Sequence, residues 1–253
     1  NLFLTAGASQ GIDLICTLFA TDGDTVIVED PTYFVIEGIF RSHRLDVVGI
    51  PTDDGGMIVD DLEEKLLKGL RPQFVYLIPS FQNPTGKTMN IQRRASLARL
   101  AVEYDFYVVA DEVYQFLYFQ DPPPPPMMHF DKQSKMISVG SFSKILAPGL
   151  RVGWIHASKK VIQRFSDAAL AFSGGGFNHF GSAMVREFID MGYLVKNVAN
   201  LRKIYAERAS VMKEALESIF GDSIQYEEPT GGYYMWIKVN ETMNTETLLS
   251  KSE

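Results

Sequence analysis

The sequence predicts an α/β protein built on a mostly parallel sheet. Three observations predict it. Short runs rich in β-branched and aromatic residues recur at 25–30, 74–79, 106–111 and 136–141. Stretches with apolar residues at helical spacing lie between them, at 59–70 and 89–105. The runs are apolar on both faces, as strands covered by helices on two sides must be.

The elements follow in chain order. Residues 2–5 read as a strand, and Gly7-Ala8-Ser9-Gln10-Gly11 leads from it into a helix over 12–19. The run TVIVED (25–30) ends in Pro31-Thr32-Tyr33, and FVYLIP (74–79) ends in Asn83-Pro84-Thr85-Gly86. In the helix over 89–105, Asn90 is the expected N-cap. FYVVA leads into Asp111-Glu112-Val113-Tyr114, and MISVG leads into Ser141-Phe142-Ser143-Lys144. A charge-laced helical pattern fills 194–220, with Gly221 as its stop. Composition shifts there, which predicts a division into a large domain over 1–190 and a connecting helix with part of a second domain over 191–253. Residues 231–239, GGYYMWIKV, read as a strand. The five prolines at 122–126 are expected in a stiff polyproline loop, as a surface insertion more readily than an SH3-type ligand.

Composition bounds the function. The chain has 253 residues, 46% hydrophobic and 22% charged, which is ordinary for a globular protein. A net charge of −7 argues against nucleic acid or an anionic membrane as the partner. The single cysteine, Cys16, excludes an intrachain disulfide and fits a reducing compartment, as it would fit other places; a cytoplasmic location is the expectation. It lies in an apolar run and is expected to be a buried thiol. No segment is apolar enough for long enough to span a bilayer. The first residues lack the basic start of a targeting peptide. The chain opens at Asn1, inside a strand, and stops at Glu253 without a domain-closing pattern. A fragment lacking both ends is expected.

Ligands of open α/β sheets bind beyond the carboxyl ends of the strands. Four polar clusters on one such rim predict a site assembled from distant segments. A lysine near an apolar rim loses hydration and becomes a nucleophile suited to imine formation, so Lys144 is a candidate. Taken alone, it reads more readily as a lysine that snorkels to solvent. Asp111 follows five apolar or aromatic residues and needs a partner. A protonated pyridine nitrogen would serve, and so would the backbone of a following helix. The small residues at 7–11 and the helix after them suit a phosphate, or else form an ordinary helix capped by Ser9. Arg151, in Pro148-Gly149-Leu150-Arg151-Val152-Gly153-Trp154, can grip a phosphate bidentately, or lie on the surface at a strand's start. No metal ligand is assigned.

Five motifs now stand in order: Ser9-Gln10-Gly11, Asn83-Pro84-Thr85-Gly86, Asp111-Glu112-Val113-Tyr114, Ser141-Phe142-Ser143-Lys144 and the segment around Arg151. Together they resemble the fold-type I enzymes dependent on pyridoxal 5'-phosphate (PLP), in the class I/II aminotransferase group. Within it the resemblance points to the branch of 2-aminoadipate aminotransferases and the effector domains of MocR-type regulators. It implies the fold-type I large domain, a mostly parallel mixed sheet flanked by helices, with part of a smaller α+β domain that includes 231–236.

The resemblance also implies roles. Lys144 would carry PLP as a Schiff base, Asp111 would pair with the pyridine nitrogen, and Asn83 and Tyr114 would bond the ring's phenolic oxygen. Tyr33 would stack on the ring, where its plain reading is a core aromatic after a turn. Ser9, Gln10, Ser141 and Arg151, with the backbone at Ala8, would hold the phosphate. The implied reaction is amino transfer between an amino acid and a 2-oxo acid in a homodimer. A C–S lyase, a decarboxylase or a PLP-sensing regulator domain are the alternatives. Gly174-Gly175-Gly176-Phe177-Asn178 falls where relatives reach the neighbouring subunit's site, or is a hinge. The family's N-terminal arm and its carboxylate-binding arginine are not found, since no arginine follows Trp236. The sequence as it stands is therefore expected to bind PLP without efficient turnover.

Overall fold

The four apolar runs form the centre of an eight-stranded sheet. In chain order its strands are β1 (Leu2–Thr5), β2 (Thr25–Asp30), β3 (Asp46–Asp53), β4 (Gly56–Met57), β5 (Phe74–Leu77), β6 (Tyr107–Asp111), β7 (Met136–Ser141) and β8 (Gly153–Ala157). Their spatial order is β1-β8-β7-β6-β5-β2-β3-β4. The strands from β3 across to β7 are parallel, while β8 and β4 run against their neighbours. This computed structural model describes residues 1–168, 171, 173, 176–239, 245 and 249. Gly174 and Gly175 of the glycine run, and most of the last residues, lie outside the described residues.

Period-two alternation sorts the core into two layers. Phe74 and Tyr76 face one side, with helices α1 (Ala8–Phe19), α2 (Phe34–Ser42) and part of α5 (Lys159–Ser166). Val75 and Leu77 face the other side, with α3 (Val59–Leu67) and α4 (Ile91–Glu103). Each fully buried Ile, Leu or Phe contributes roughly 1.5–3 kcal/mol, which is why strands buried on both faces dominate the fold. Beyond the sheet come α6 (His179–Asp190), α7 (Tyr193–Phe220) and a small pair, β9 (Ile224–Tyr226) with β10 (Ile237–Val239). Among the described residues no helix is long and apolar enough to cross a membrane.

Several elements differ from expectation at their edges. The strand at 74–79 ends at Leu77, because the Ile78 N–H donates to Glu29 Oε2 at 2.9 Å and Pro79 has no N–H to give. The helix at 89–105 is α4, and Asn90 caps it by accepting from the Arg93 N–H. The cap of α1 is Gly7, not Ser9. The larger correction concerns 231–239. Only Ile237–Val239 is a strand. Gly231 and Gly232 press so closely on Phe81 that a Cβ on either would lie 2.5 Å from its ring or side chain, and Gly232 has φ 75. Gly231 instead makes an isolated antiparallel bridge with Tyr118, and residues 230–232 bond the backbone of 117–119 rather than extending β10. The proline run is held by hydrogen bonds rather than presented as a ligand: Arg94 Nη1 donates to the carbonyls of Pro124 and Pro125, and Gln115 Nε2 to that of Pro124.

Candidate active site

The rim where β5, β6 and β7 end, and where β8 begins opposite Ser141, carries one cavity of about 200 Å³. It is lined by Ala8, Ser9, Tyr33, Asn83, Asp111, Tyr114, Ser141, Lys144 and Arg151. Nine of the ten residues singled out from the sequence therefore meet in one place. Gln10 does not join them by its side chain. Its Oε1 accepts from the Ala6 N–H at 2.6 Å and tightens the turn into α1, which leaves only its backbone N–H in the first turn of that helix.

Asp111 ends β6 and is 5% exposed. Its Oδ2 accepts from the Tyr76 hydroxyl at 2.9 Å, while Oδ1 has no hydrogen-bond partner among the described residues. Burial pushes its carboxyl from 3.8 to about 6, against the opposing pull of the Tyr76 bond, the nearby Val113 backbone and the Lys144 charge. A buried carboxylate oxygen without a donor is costly, so this lone pair fits a cationic N–H from a ligand. Tyr114 is buried, and its hydroxyl is pushed up by burial first and by Tyr234 next. Asn83 Nδ2 donates to the Tyr234 hydroxyl at 3.1 Å. Burial, with Tyr234 and Asp111 nearby, also raises Tyr33.

The opposite end of the cavity is built for an anion. The first N–H groups of α1 have no partners within the helix and carry its positive dipole end. Arg151 sits in the left-handed region, φ 50, with Nη1 donating to Ser143 Oγ at 3.3 Å and to the Pro148 carbonyl at 3.2 Å. Asn178 Nδ2 donates to the carbonyls of Leu150 and Arg151, each at 2.6 Å, and so fixes that bend. Two glycines allow the approach. A Cβ on Gly7 would lie 2.5 Å from Arg151 Nη2, and one on Gly153 would lie 2.7 Å from the Gly7 carbonyl carbon.

Lys144 stands between these ends. Its Nζ lies 5.3 Å from the centre of the Tyr233 ring, and its carbonyl accepts from the Tyr233 hydroxyl at 3.0 Å. Tyr205 of α7 bonds the same hydroxyl at 3.0 Å. Tyr233 and Tyr234 are the functional candidates that the sequence reading missed, because it placed them in a strand. The glycine pair before two tyrosines was the available signal: Gly-Gly breaks strand alternation and permits a sharp bend. Ser143 was also passed over, although it lies in a motif already noted. An amine, a carboxylate with an open lone pair and an anion cradle within one cavity suit a cofactor with an aldehyde, a basic ring nitrogen and a phosphate.

The family described as Aminotransferase class I and II matches residues 1–252 of this chain. Aromatic-amino-acid aminotransferase 1 of Thermococcus litoralis is 37% identical over 256 residues, covering 100% of this chain and 61% of that protein. The crystal structure of LysN, an α-aminoadipate aminotransferase from Thermus thermophilus, was solved with N-(5'-phosphopyridoxyl)-L-leucine. It matches with a TM-score of 0.91 at 31% identity, over 99% of this chain and 64% of that one. YdfD, an HTH-type transcriptional regulator of Bacillus subtilis, is 28% identical over 253 residues, covering 52% of the regulator. The chain thus spans under two thirds of the two aminotransferases and about half of the regulator.

Proposed function

Since the chain belongs to the class I and II aminotransferase family, we propose that it transfers an amino group between an amino acid and a 2-oxo acid, with PLP held on Lys144. The observation that carries this reading is the cavity lined by Lys144, by the anion cradle and by Asp111, whose buried Oδ1 has no hydrogen-bond partner among the described residues. When bound, PLP supplies an aldehyde that accepts amines and a protonated ring that takes up electron density from the substrate's Cα.

The chain's own residues divide the remaining work. Lys144 Nζ is the amine for that aldehyde and, when released, the base that removes and returns the Cα proton. Asp111 keeps a proton on the ring nitrogen. Asn83 and Tyr114 bond the ring's phenolic oxygen, and Tyr33 covers its face. Arg151, Ser9, Ser141 and the first N–H groups of α1, including those of Ala8 and Gln10, hold the phosphate charge. The same reading assigns 1–190 to the cofactor-binding domain and 191–253 to the connecting helix and part of a small domain. It takes the assembly as a homodimer in the cytoplasm.

Adding PLP to the purified protein is expected to give a visible absorbance band. Borohydride should then fix the cofactor to the peptide carrying Lys144, as read by mass spectrometry. Incubation of the full-length protein with a panel of amino acids and a 2-oxo acid should yield the exchanged pair. Release of carbon dioxide or of a side-chain fragment would point instead to decarboxylation or elimination. A second reading is favoured by the match to YdfD: an effector module that binds PLP without exchanging amino groups. It predicts the band and the trapped peptide with no exchanged product.

The raised carboxyl of Asp111 gives a signed pH dependence. Its folded value, about 6, exceeds its ordinary 3.8. The cofactor-free protein therefore loses stability as pH rises through that window, on the order of 3 kcal/mol from this group. A cationic ring nitrogen beside Oδ1 reverses the preference. Urea midpoints measured at pH 4.5 and pH 7.5 should fall with pH without PLP, and fall less with it. Equal slopes in the two series would sink the pairing of Asp111 with the ring.

A further inference from the structure

We infer that Tyr76 is a positioning residue: its hydroxyl holds Asp111 Oδ2 and so aims Oδ1 at the ring nitrogen of the cofactor. This rests on the proposed function for the identity of that nitrogen. The orientation itself rests on geometry. Tyr76 is fully buried in β5, on the sheet face that carries α1 and α2, and it pairs in register with Val109 of β6, two residues before Asp111. Its ring packs edge-on against Phe40 at 5.8 Å. A phenylalanine would fill that space equally well, so packing does not explain the hydroxyl.

The carboxylate explains it. Rotation of an aspartate carboxyl about its last bond is soft and roughly two-fold. Burial alone does not decide which oxygen is left for a ligand. One side-chain donor at 2.9 Å, fixed on a neighbouring central strand, decides it, with the Val113 backbone as the lesser favourable contact. The hydroxyl takes Oδ2, and Oδ1 is the oxygen left without a partner.

Several other groups face this pair. Lys144 draws the carboxyl toward its charged form, whereas Glu112, Tyr114 and Tyr33 interact with it across the rim. Glu29 of β2 acts on Tyr76 from the far side. Only the Tyr76 hydroxyl donates a side-chain hydrogen bond to the carboxylate among the described residues.

The test is Tyr76→Phe in the intact protein. The Asp111 carboxyl is followed by carbon NMR without cofactor and is identified by its loss in Asp111→Asn. Losing a donor to the charged form should move its midpoint up by about one pH unit or more. With PLP, the variant should bind about tenfold more weakly at neutral pH. An unmoved midpoint in a variant that melts like the wild type overturns the inference. Should Tyr76→Phe fold poorly, the wild-type protein still decides: the Tyr76 ring Cζ resonance must shift with the Asp111 midpoint. A flat Cζ resonance overturns the inference equally. A wild-type protein that gives no band with PLP overturns the cofactor reading alone. The two failures are separable because the carboxyl titration needs no cofactor.

Discussion

Lys144→Ala should fold normally, give no band fixed by borohydride, and lose about 10⁴-fold in the rate of amino exchange. The expectation follows from where Lys144 sits. It is half-buried after β7, with Tyr233 against its amine and its own carbonyl tied to the Tyr233 hydroxyl. Among the described residues no other lysine lines the cavity. The variant removes both the anchoring amine and the base, so restoring one function does not restore the other. An added small amine should therefore rescue proton transfer only in part. The clean readout is the trapped peptide together with single-turnover kinetics. A band that survives in Lys144→Ala would move the anchor elsewhere and undo the assignment.

Arg94→Ala should cost about 3–5 kcal/mol of stability, the largest loss expected from a single side chain outside the cavity. Arg94 is 0% exposed. Its Nε donates to the Met89 carbonyl at 2.9 Å, and Nη2 to the Pro79 carbonyl at 2.5 Å and to Ser80 Oγ at 2.9 Å. Nη1 reaches Pro125 at 3.0 Å. Burial lowers its guanidinium to about 10, with Glu112 opposing. Alanine would strand those carbonyls in the interior and untie the proline run from the start of α4. Lysine has one head in place of a fork, so Arg94→Lys should recover only a minor part. Denaturant midpoints at constant slope measure both. A loss below about 1 kcal/mol would show that water takes over the carbonyls.

The legibility of the fold in the sequence followed burial. The strands at 25–30 and 136–141 are apolar on both faces because helices cover both, and their limits fall where the sequence put them. β3 was not read, because it lies near the sheet's edge with exposed residues interleaved. The cavity was legible where a polar residue closes a buried strand, as Asp111 and Ser141 do. It was not legible at Tyr76, which looks like one more apolar strand residue until its hydroxyl is placed beside Asp111. Tyr233 and Tyr234 escaped for another reason. Their position depends on Gly231 and Gly232 fitting against Phe81, about 150 residues earlier in the chain, and no local pattern encodes that contact.

The edge pairing of β1 with β8 joins residues 2–5 to residues 153–156. It is among the least local contacts in the sheet, and it brings α1 to Arg151. High contact order of this kind makes pairing slow and late. During synthesis, α1 leaves the ribosome long before β1 has β8 to pair with. The phosphate end of the pocket therefore depends on strands about 150 residues apart, whereas the carboxylate end is carried by the adjacent parallel strands β5 and β6. A nascent chain that has not yet delivered residue 157 has no complete place to hold its cofactor.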